Sequence, residues 1–179
     1  MVQLTWIVMT YKVPPEPAAK RVALWRRLKG MGAVYLQNGV CLLPQTDEHM
    51  RQLKMLENDV TEMGGETILL VTSSLDKKQE AKVVARFKSD RDDQYREFLG
   101  KCDAFESEIA KEIAKEKYTY AELEEEDSDL KKLQNWLEKI NNLDFYKASL
   151  SAVASNRMKD CEALLADYAQ RVFEANQGL

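Results

Sequence analysis

The chain has 179 residues, of which 45% are hydrophobic and 31% are charged, and its formal net charge at pH 7 is −4. This composition is typical of a folded globular protein with one domain or two small ones, and it excludes disordered and fibrous classes. The apolar run at residues 4–9 is too short to cross a bilayer and follows no basic stretch, so we expect neither a signal peptide nor a membrane segment. We therefore expect a soluble, cytoplasmic protein.

Charge is distributed unevenly along the chain. Residues 1–72 carry a net +1, whereas residues 73–179 carry a net −5. Residues 16–31 contain five basic side chains and a single acidic one, Glu16. A local basic patch of this kind attracts phosphates even when the whole protein is acidic.

The first part of the chain, residues 1–75, predicts an α+β domain. Residues 4–13 form a strand whose two alternating faces are both largely apolar, which favours a central position in a sheet. Prolines end this strand and suit the first turn of a helix over residues 18–31. That helix has an apolar stripe containing Val22, Trp25 and Leu28, and we expect Trp25 in the core.

Residues 33–43 are rich in β-formers and are interrupted by Asn38-Gly39, which predicts a hairpin or a single bulged strand. A second helix follows, capped by Thr46 or Asp47, and Gly64-Gly65 ends it before a last strand over residues 66–72. The order β-α-β-(β)-α-β is that of a ferredoxin-like domain with both helices on one face of the sheet.

Residues 76–179 predict an all-α hairpin or bundle. Three segments repeat apolar residues at alternating spacings of three and four, as in nearly antiparallel packed helices. The first contains Tyr95 and Phe98, the second Leu130 and Leu133, and the third Ala154. Thr119 and Glu122 have the spacing of a capping box at the start of a helix.

Several short motifs, in this order along most of the chain, resemble the amino-terminal domain of the ChrB chromate-resistance regulators and, more distantly, the core of PaaX-type repressors. They occupy residues 11–17, 21–29, 32–44, 64–66, 85–87, 91–95 and 118–125. The resemblance implies a ferredoxin-like domain plus helices and a role in chromate-linked gene control. ChrB-like regulators usually continue into a carboxy-terminal domain, whereas this sequence stops at Leu179, which favours the alternative of an interaction module with a separate partner domain.

The predicted first helix carries the candidate nucleic-acid contacts Lys20, Arg21, Arg26 and Arg27. Lys20, Arg26 and Arg27 are expected on its solvent side, where they form a solvated face, a DNA-backbone patch or a contact with the acidic helical part. Arg21 lies near the apolar stripe. It either rests its stem on the sheet and caps a carboxylate or carbonyl, or contacts a phosphate.

The sequence shows no constellation for catalysis, and we expect no enzyme, no cofactor and no metal site. The single histidine, His49, has no HxxxH or HxxE pattern and is expected to be exposed in the first turn of a helix. The acidic cluster at residue 122 and residues 124–127 predicts a solvated helix face. Cys41, Cys102 and Cys161 form no CxxC pair, and Cys102 and Cys161 are expected to be buried.

Our first hypothesis is a chromate-resistance-type regulatory protein that contacts the DNA backbone. The alternative is a non-catalytic interaction module that docks a separate ChrB-like partner domain. We also expect a homodimer, because small ferredoxin-like domains leave one sheet face or edge to be covered, with the aromatic first strand as a candidate surface.

Overall fold

The computed structural model describes residues 3–177, which form two compact units, one ending at Asp90 and the other beginning at Arg91. The elements are β1 (Thr5–Lys12), α1 (Ala18–Gly30), β2 (Val34–Gln37), β3 (Val40–Pro44), α2 (Asp47–Glu62), β4 (Glu66–Ser73), α3 (Lys77–Ala114), α4 (Tyr120–Asn142) and α5 (Ser151–Ala175). Among these residues, no helix has the length and apolar character needed to span a bilayer. The predicted division at residues 75 and 76 stays a prediction.

The first unit contains one four-stranded sheet with the order β2-β3-β1-β4, in which all neighbouring strands are antiparallel. This arrangement confirms the predicted α+β, ferredoxin-like fold and the central position of β1. Ile7 and Met9 are buried on one face of β1 and Trp6 on the other. Because β1 is paired along both edges, it cannot offer the free edge that was considered for dimerisation.

The segment around Asn38-Gly39 is a hairpin, with a register shift between Tyr35 and Gln37. Gly39 has a φ of +74°, and its carbonyl accepts a hydrogen bond of 2.9 Å from the Tyr11 amide. A Cβ atom at this position would lie 2.7 Å from the Tyr11 carbonyl oxygen. Glycine is therefore required here both by the backbone conformation and by the close approach of β1.

Helix α2 packs on β1 and β4 and buries Leu53, Leu56 and Val60, as its sequence pattern predicts. Its cap is Thr46, whose Oγ1 accepts a 3.0 Å hydrogen bond from the amide of His49. His49 is half-buried rather than exposed, and its Nδ1 lies 2.8 Å from the Pro44 carbonyl oxygen.

Helix α1 buries only Leu24 and Leu28. The expectation that Trp25 belongs to the core is wrong, since its side chain is 49% exposed, and Val22 is 46% exposed. The physical reason is that α1 has two apolar stripes, and the one defined by Leu24 and Leu28 is the one that is buried. The other stripe remains on the surface.

The first turns of α3 contact the sheet. Arg86 donates a 3.0 Å hydrogen bond to the Tyr35 carbonyl, and Phe87 is buried. Lys29, in the last turn of α1, forms a 3.0 Å ion pair with Asp90. These contacts place the start of α3 within the first unit, beyond the last strand.

The second unit is a three-helix bundle formed by the rest of α3 with α4 and α5. The three predicted apolar stripes form one core whose members include Tyr95, Leu133 and Cys161. Thr119 caps α4 by accepting a 3.2 Å hydrogen bond from the Glu122 amide, as predicted. Buried Asp92 accepts hydrogen bonds from the Ser149 hydroxyl and from the Leu150 amide at the start of α5.

We predict that Gly39→Ala lowers the free energy of unfolding by about 1–3 kcal/mol, because it combines a left-handed backbone with a clash against β1. Gly30→Ala is the matched control, since a Cβ there meets no atom within 4 Å. Gly30 lies in the same unit, and replacing it with Ala should leave the free energy of unfolding unchanged or raise it slightly. Urea denaturation of both variants measures the difference, and equal midpoints would contradict the role assigned to Gly39.

Candidate nucleic-acid interface

The four predicted contact residues are all exposed on α1, but they do not form one face. With 100° of rotation per residue, Lys20 and Arg27 lie about 20° apart on one flank of the buried leucines. Arg21 lies on the other flank, next to Trp25. Arg26 lies roughly 160° from Leu24 and Leu28, on the outer side of the helix. The basic side chains thus surround α1 rather than line one surface.

Their electrostatic partners also differ. Arg27 forms an ion pair and hydrogen bond with Asp59 of α2. Within residues 3–177, Lys20, Arg21 and Arg26 make no ion pair. Arg21 therefore does not cap a carboxylate in the part of the chain that the structure describes. Of the four residues, Lys20, Arg21 and Arg26 are the ones whose charge is uncompensated, whereas Arg27 already has a carboxylate partner.

A groove of about 520 Å³ lies beside Arg21. Its lining comes from the end of β1, the first two turns of α1 and the β2–β3 turn: Tyr11, Lys12, Val13, Ala18, Arg21, Val22, Trp25, Asn38 and Gly39. The lining includes two cationic side chains and no carboxylate. Together with the half-exposed indole of Trp25, this composition favours an anionic group with an apolar or planar part.

The wall of the groove at β1 is held by a tyrosine pair. The hydroxyls of Tyr11 and Tyr35 are 2.7 Å apart, and their rings meet edge to face with centroids 6.4 Å apart. Burial raises the pKa of both phenols, while Arg21 acts in the opposite direction on Tyr11. Both rings are therefore neutral at physiological pH, and the charge of the groove comes from Lys12 and Arg21.

Sequence reasoning found Arg21 but missed the groove itself. Lys12 ends β1, and Asn38-Gly39 was interpreted only as a turn, so neither signalled a site. They come together because β1 and the hairpin turn are joined by the Tyr11–Gly39 hydrogen bond. The one signal in the sequence was the second apolar stripe of α1, which was assigned to the core instead.

The helical unit contains a second unusual feature, a buried carboxyl group. Glu126 is 2% exposed, and its Oε2 has no hydrogen-bond partner within the described residues. The predicted solvated face is therefore wrong for Glu126, which lies among the packed helices. Burial, and then the nearby carboxylates of Asp129 and Glu108, raise its pKa from 4.5 to about 7.

Two cysteines distant in sequence meet in the core of this unit. Cys102 and Cys161 are fully buried, as predicted, and the Cys161 thiol donates a 3.8 Å hydrogen bond to Glu106 Oε1. The neighbouring Cys102 thiol and burial raise the pKa of Cys161, so this thiol stays protonated. In the part of the chain described by the structure, no group of three or more His, Cys, Asp or Glu residues is placed to bind a metal ion.

We predict that Glu126 makes stability depend on pH. Because burial raises the pKa of Glu126 in the folded protein, the stability associated with its protonated form is fully present below pH 4.5. That stability is lost as the pH rises through about 7. The effect of Glu126→Gln on the free energy of unfolding should therefore depend on pH. Relative to the wild type, the variant should be more favourable at pH 8 than at pH 4.5 by about 1–3 kcal/mol. Exposed Glu124 on the same helix gives the control, Glu124→Gln. Parallel pH profiles for the two variants, measured by urea denaturation, would contradict this assignment.

Comparison with known proteins agrees with the sequence motifs. The family described as "Protein ChrB, N-terminal" matches residues 21–179, a range that begins in the first turn of α1. The chain is 24% identical over 163 residues to "Protein ChrB" of Cupriavidus metallidurans, covering 91% of this chain and 47% of that protein. The chain thus spans about half the length of this curated relative. Because the family match extends over most of its residues, the chain belongs to the ChrB amino-terminal family.

Proposed function

We propose that this chain is a chromate-resistance-type regulatory protein that acts in transcription and contacts the DNA backbone through α1. The observation that carries the proposal is the set of uncompensated cations on this helix, Lys20, Arg21 and Arg26, with Lys12 beside Arg21 in the groove. Membership in the ChrB amino-terminal family supports the regulatory part. Contacts of this kind position a protein on DNA without reading its sequence.

The ion pairs of α1 refine which residues carry the contact. A phosphate that approaches Arg27 competes with Asp59, whereas Arg21 and Arg26 form no ion pair within residues 3–177. We therefore assign the main backbone contacts to Arg21 and Arg26, with Lys20 on the neighbouring flank. Arg27 contributes to the local positive potential and to the attachment of α1 to α2.

The proposal predicts a specific salt dependence of DNA binding. Fluorescence anisotropy with a duplex from upstream of the protein's own gene, at several salt concentrations, should show binding that weakens with salt. Replacing both Arg21 and Arg26 with Ala should lower the slope of log K against log salt by roughly 0.9 for each phosphate that the variant no longer neutralises.

The control variant is Arg51→Ala. Arg51 is an exposed arginine of α2 that is paired with Glu48, so its replacement changes the net charge without touching α1. An unrelated duplex tests for sequence preference. Absence of binding at low salt, or equal slopes for the control and the α1 variants, would refute the DNA-contact proposal.

We propose that the protein acts without catalysis and as a homodimer. The only histidine hydrogen-bonds to a backbone carbonyl through Nδ1, and the neighbouring thiols of Cys102 and Cys161 lie in a closed core. Neither arrangement offers an accessible nucleophile or redox pair. Measured turnover of chromate by the purified chain would overturn the non-catalytic part.

A second candidate function is a module that docks a separate ChrB-like partner domain. The observation that favours it is the exposed apolar stripe of α1, formed by Ala18, Val22 and Trp25, which no residue of the described chain buries. The test is to add the carboxy-terminal half of a ChrB protein and to record the fluorescence of Trp25. If that protein covers the stripe, the emission should shift to the blue. The variant Val22→Glu should abolish the shift. DNA that binds through phosphates alone leaves this indole exposed.

A further inference from the structure

Strand β4 has a free, apolar edge. It lies at the end of the sheet and pairs with β1 along one side only, and no other strand within residues 3–177 pairs with its outer side. Ile68, Leu70 and Val71 are between 53% and 59% exposed. Since Ile68 and Leu70 face one side of the sheet and Val71 the other, the edge is apolar on both faces.

This edge lacks the features that protect other edge strands. Its pairing with β1 is continuous over all eight residues, from Thr5↔Ser73 to Lys12↔Glu66. The strand contains no proline and no lysine, and its single charged residue, Glu66, is at one end. The opposite edge strand, β2, has four residues and a register shift. A long, regular, apolar edge such as β4 is a template for another strand.

The sequence of β4 is complementary to itself when two copies run antiparallel. A twofold axis perpendicular to the sheet keeps each face continuous, and residues directly opposite each other share a face. With Leu69 on the axis, Ile68 lies opposite Leu70 of the second copy and Thr67 opposite Val71 of the second copy. Glu66 lies opposite Thr72 of the second copy, so no like charges meet.

Other registers are less favourable. A shift of one residue places residues of opposite faces against each other, which the twofold axis forbids. The register centred on Leu70 sets Ile68 against Thr72 of the second copy, so an exposed apolar residue on the face of Ile68 and Leu70 loses its apolar partner. The register centred on Leu69 keeps that face apolar, and its one kind of mixed pair, Thr67 with Val71, lies on the opposite face. Only the register centred on Leu69 gives both Ile68 and Leu70, the exposed apolar residues that share a face, an apolar partner.

We propose that the homodimer forms through β4, which pairs antiparallel with β4 of a second copy with Leu69 on the twofold axis. The inference rests on the homodimer of the proposed function and specifies its interface. The two sheets then form one continuous sheet, and the outward backbone groups of β4 find partners. The apolar side chains at the joint are removed from water at the same time.

Light scattering of the full chain tests the interface. The wild type should have twice the mass of the chain, and the double variant Ile68→Lys/Leu70→Lys should dimerise at least about tenfold more weakly. Val153→Lys, at a position of α5 that is 45% exposed, is the matched control and should remain dimeric. Circular dichroism establishes that each variant is folded.

The outcomes separate the two proposals. A monomeric wild type overturns both the homodimer and the β4 interface. A dimeric wild type whose mass is unchanged by the Lys substitutions overturns the interface alone and leaves another surface to form the dimer, while DNA binding is tested independently by the α1 variants.

A disulfide experiment tests the register without destabilising the strand. Directly opposite Cα atoms in an antiparallel pair are about 4.5–5.5 Å apart, within the range that a disulfide spans. Leu69→Cys should therefore give a covalent dimer on mild oxidation, while the three native cysteines are buried and give none. Thr67→Cys is the control, because in this register the Cα atoms of residue 67 in the two copies are roughly 13 Å apart, too far for a disulfide. A covalent dimer of Thr67→Cys, or none for Leu69→Cys, would refute the register.

Discussion

The first unit depends on one constraint, which is that β1 is hydrogen-bonded along both edges and buried on both faces. Trp6 fills one face, while Ile7 and Met9 fill the other, so both edges and the middle of this strand are occupied, and only its last residues, Tyr11 and Lys12, reach the groove. The groove, the cations of α1 and the free sheet edge therefore lie at the end of β1 or on the elements attached to it. These are its carboxyl end with the hairpin turn, the helix that follows it, and the strand at the free edge of the sheet.

These surfaces have different characters because they are held differently. The groove beside Arg21 is held by backbone contacts, since the Tyr11–Gly39 hydrogen bond and the Tyr11–Tyr35 hydroxyl pair fix its wall. The cations on α1, in contrast, extend from a helix that is anchored through two leucines and the Arg27–Asp59 and Lys29–Asp90 ion pairs. A wall fixed by hydrogen bonds faces a helix with long basic side chains, and the flexible stems of such side chains let them adapt to the position of a phosphate.

Local patterns were sufficient to predict most of the fold. The alternation in β1, the Asn38-Gly39 turn, the Thr46 and Thr119 caps and the helical stripes of the bundle all depend on neighbours within a few residues. The errors arose where a distant partner decides. Both apolar stripes of α1 are compatible with a core, and only tertiary packing selects between Leu24 and Trp25.

The same limit explains the other features that the sequence did not reveal. Glu126 is buried because neighbouring helices enclose it, although its sequence neighbours are acidic and mostly solvated. Cys102 and Cys161 meet across two helices, and Arg27 finds Asp59 on another helix. Within the candidate site, the charges of α1 were predictable from the sequence, whereas their division into paired and unpaired cations was not.

The sparse anchoring of α1 has a consequence for how this family can diversify. Of the thirteen residues in α1, Leu24 and Leu28 are the ones that the core requires. Substitutions at the remaining exposed positions change charge and shape while costing little folding free energy. A lineage can thus revise what this helix recognises, one neutral step at a time, on an unchanged sheet. Relatives that share about a quarter of their residues can keep the architecture and yet differ in target.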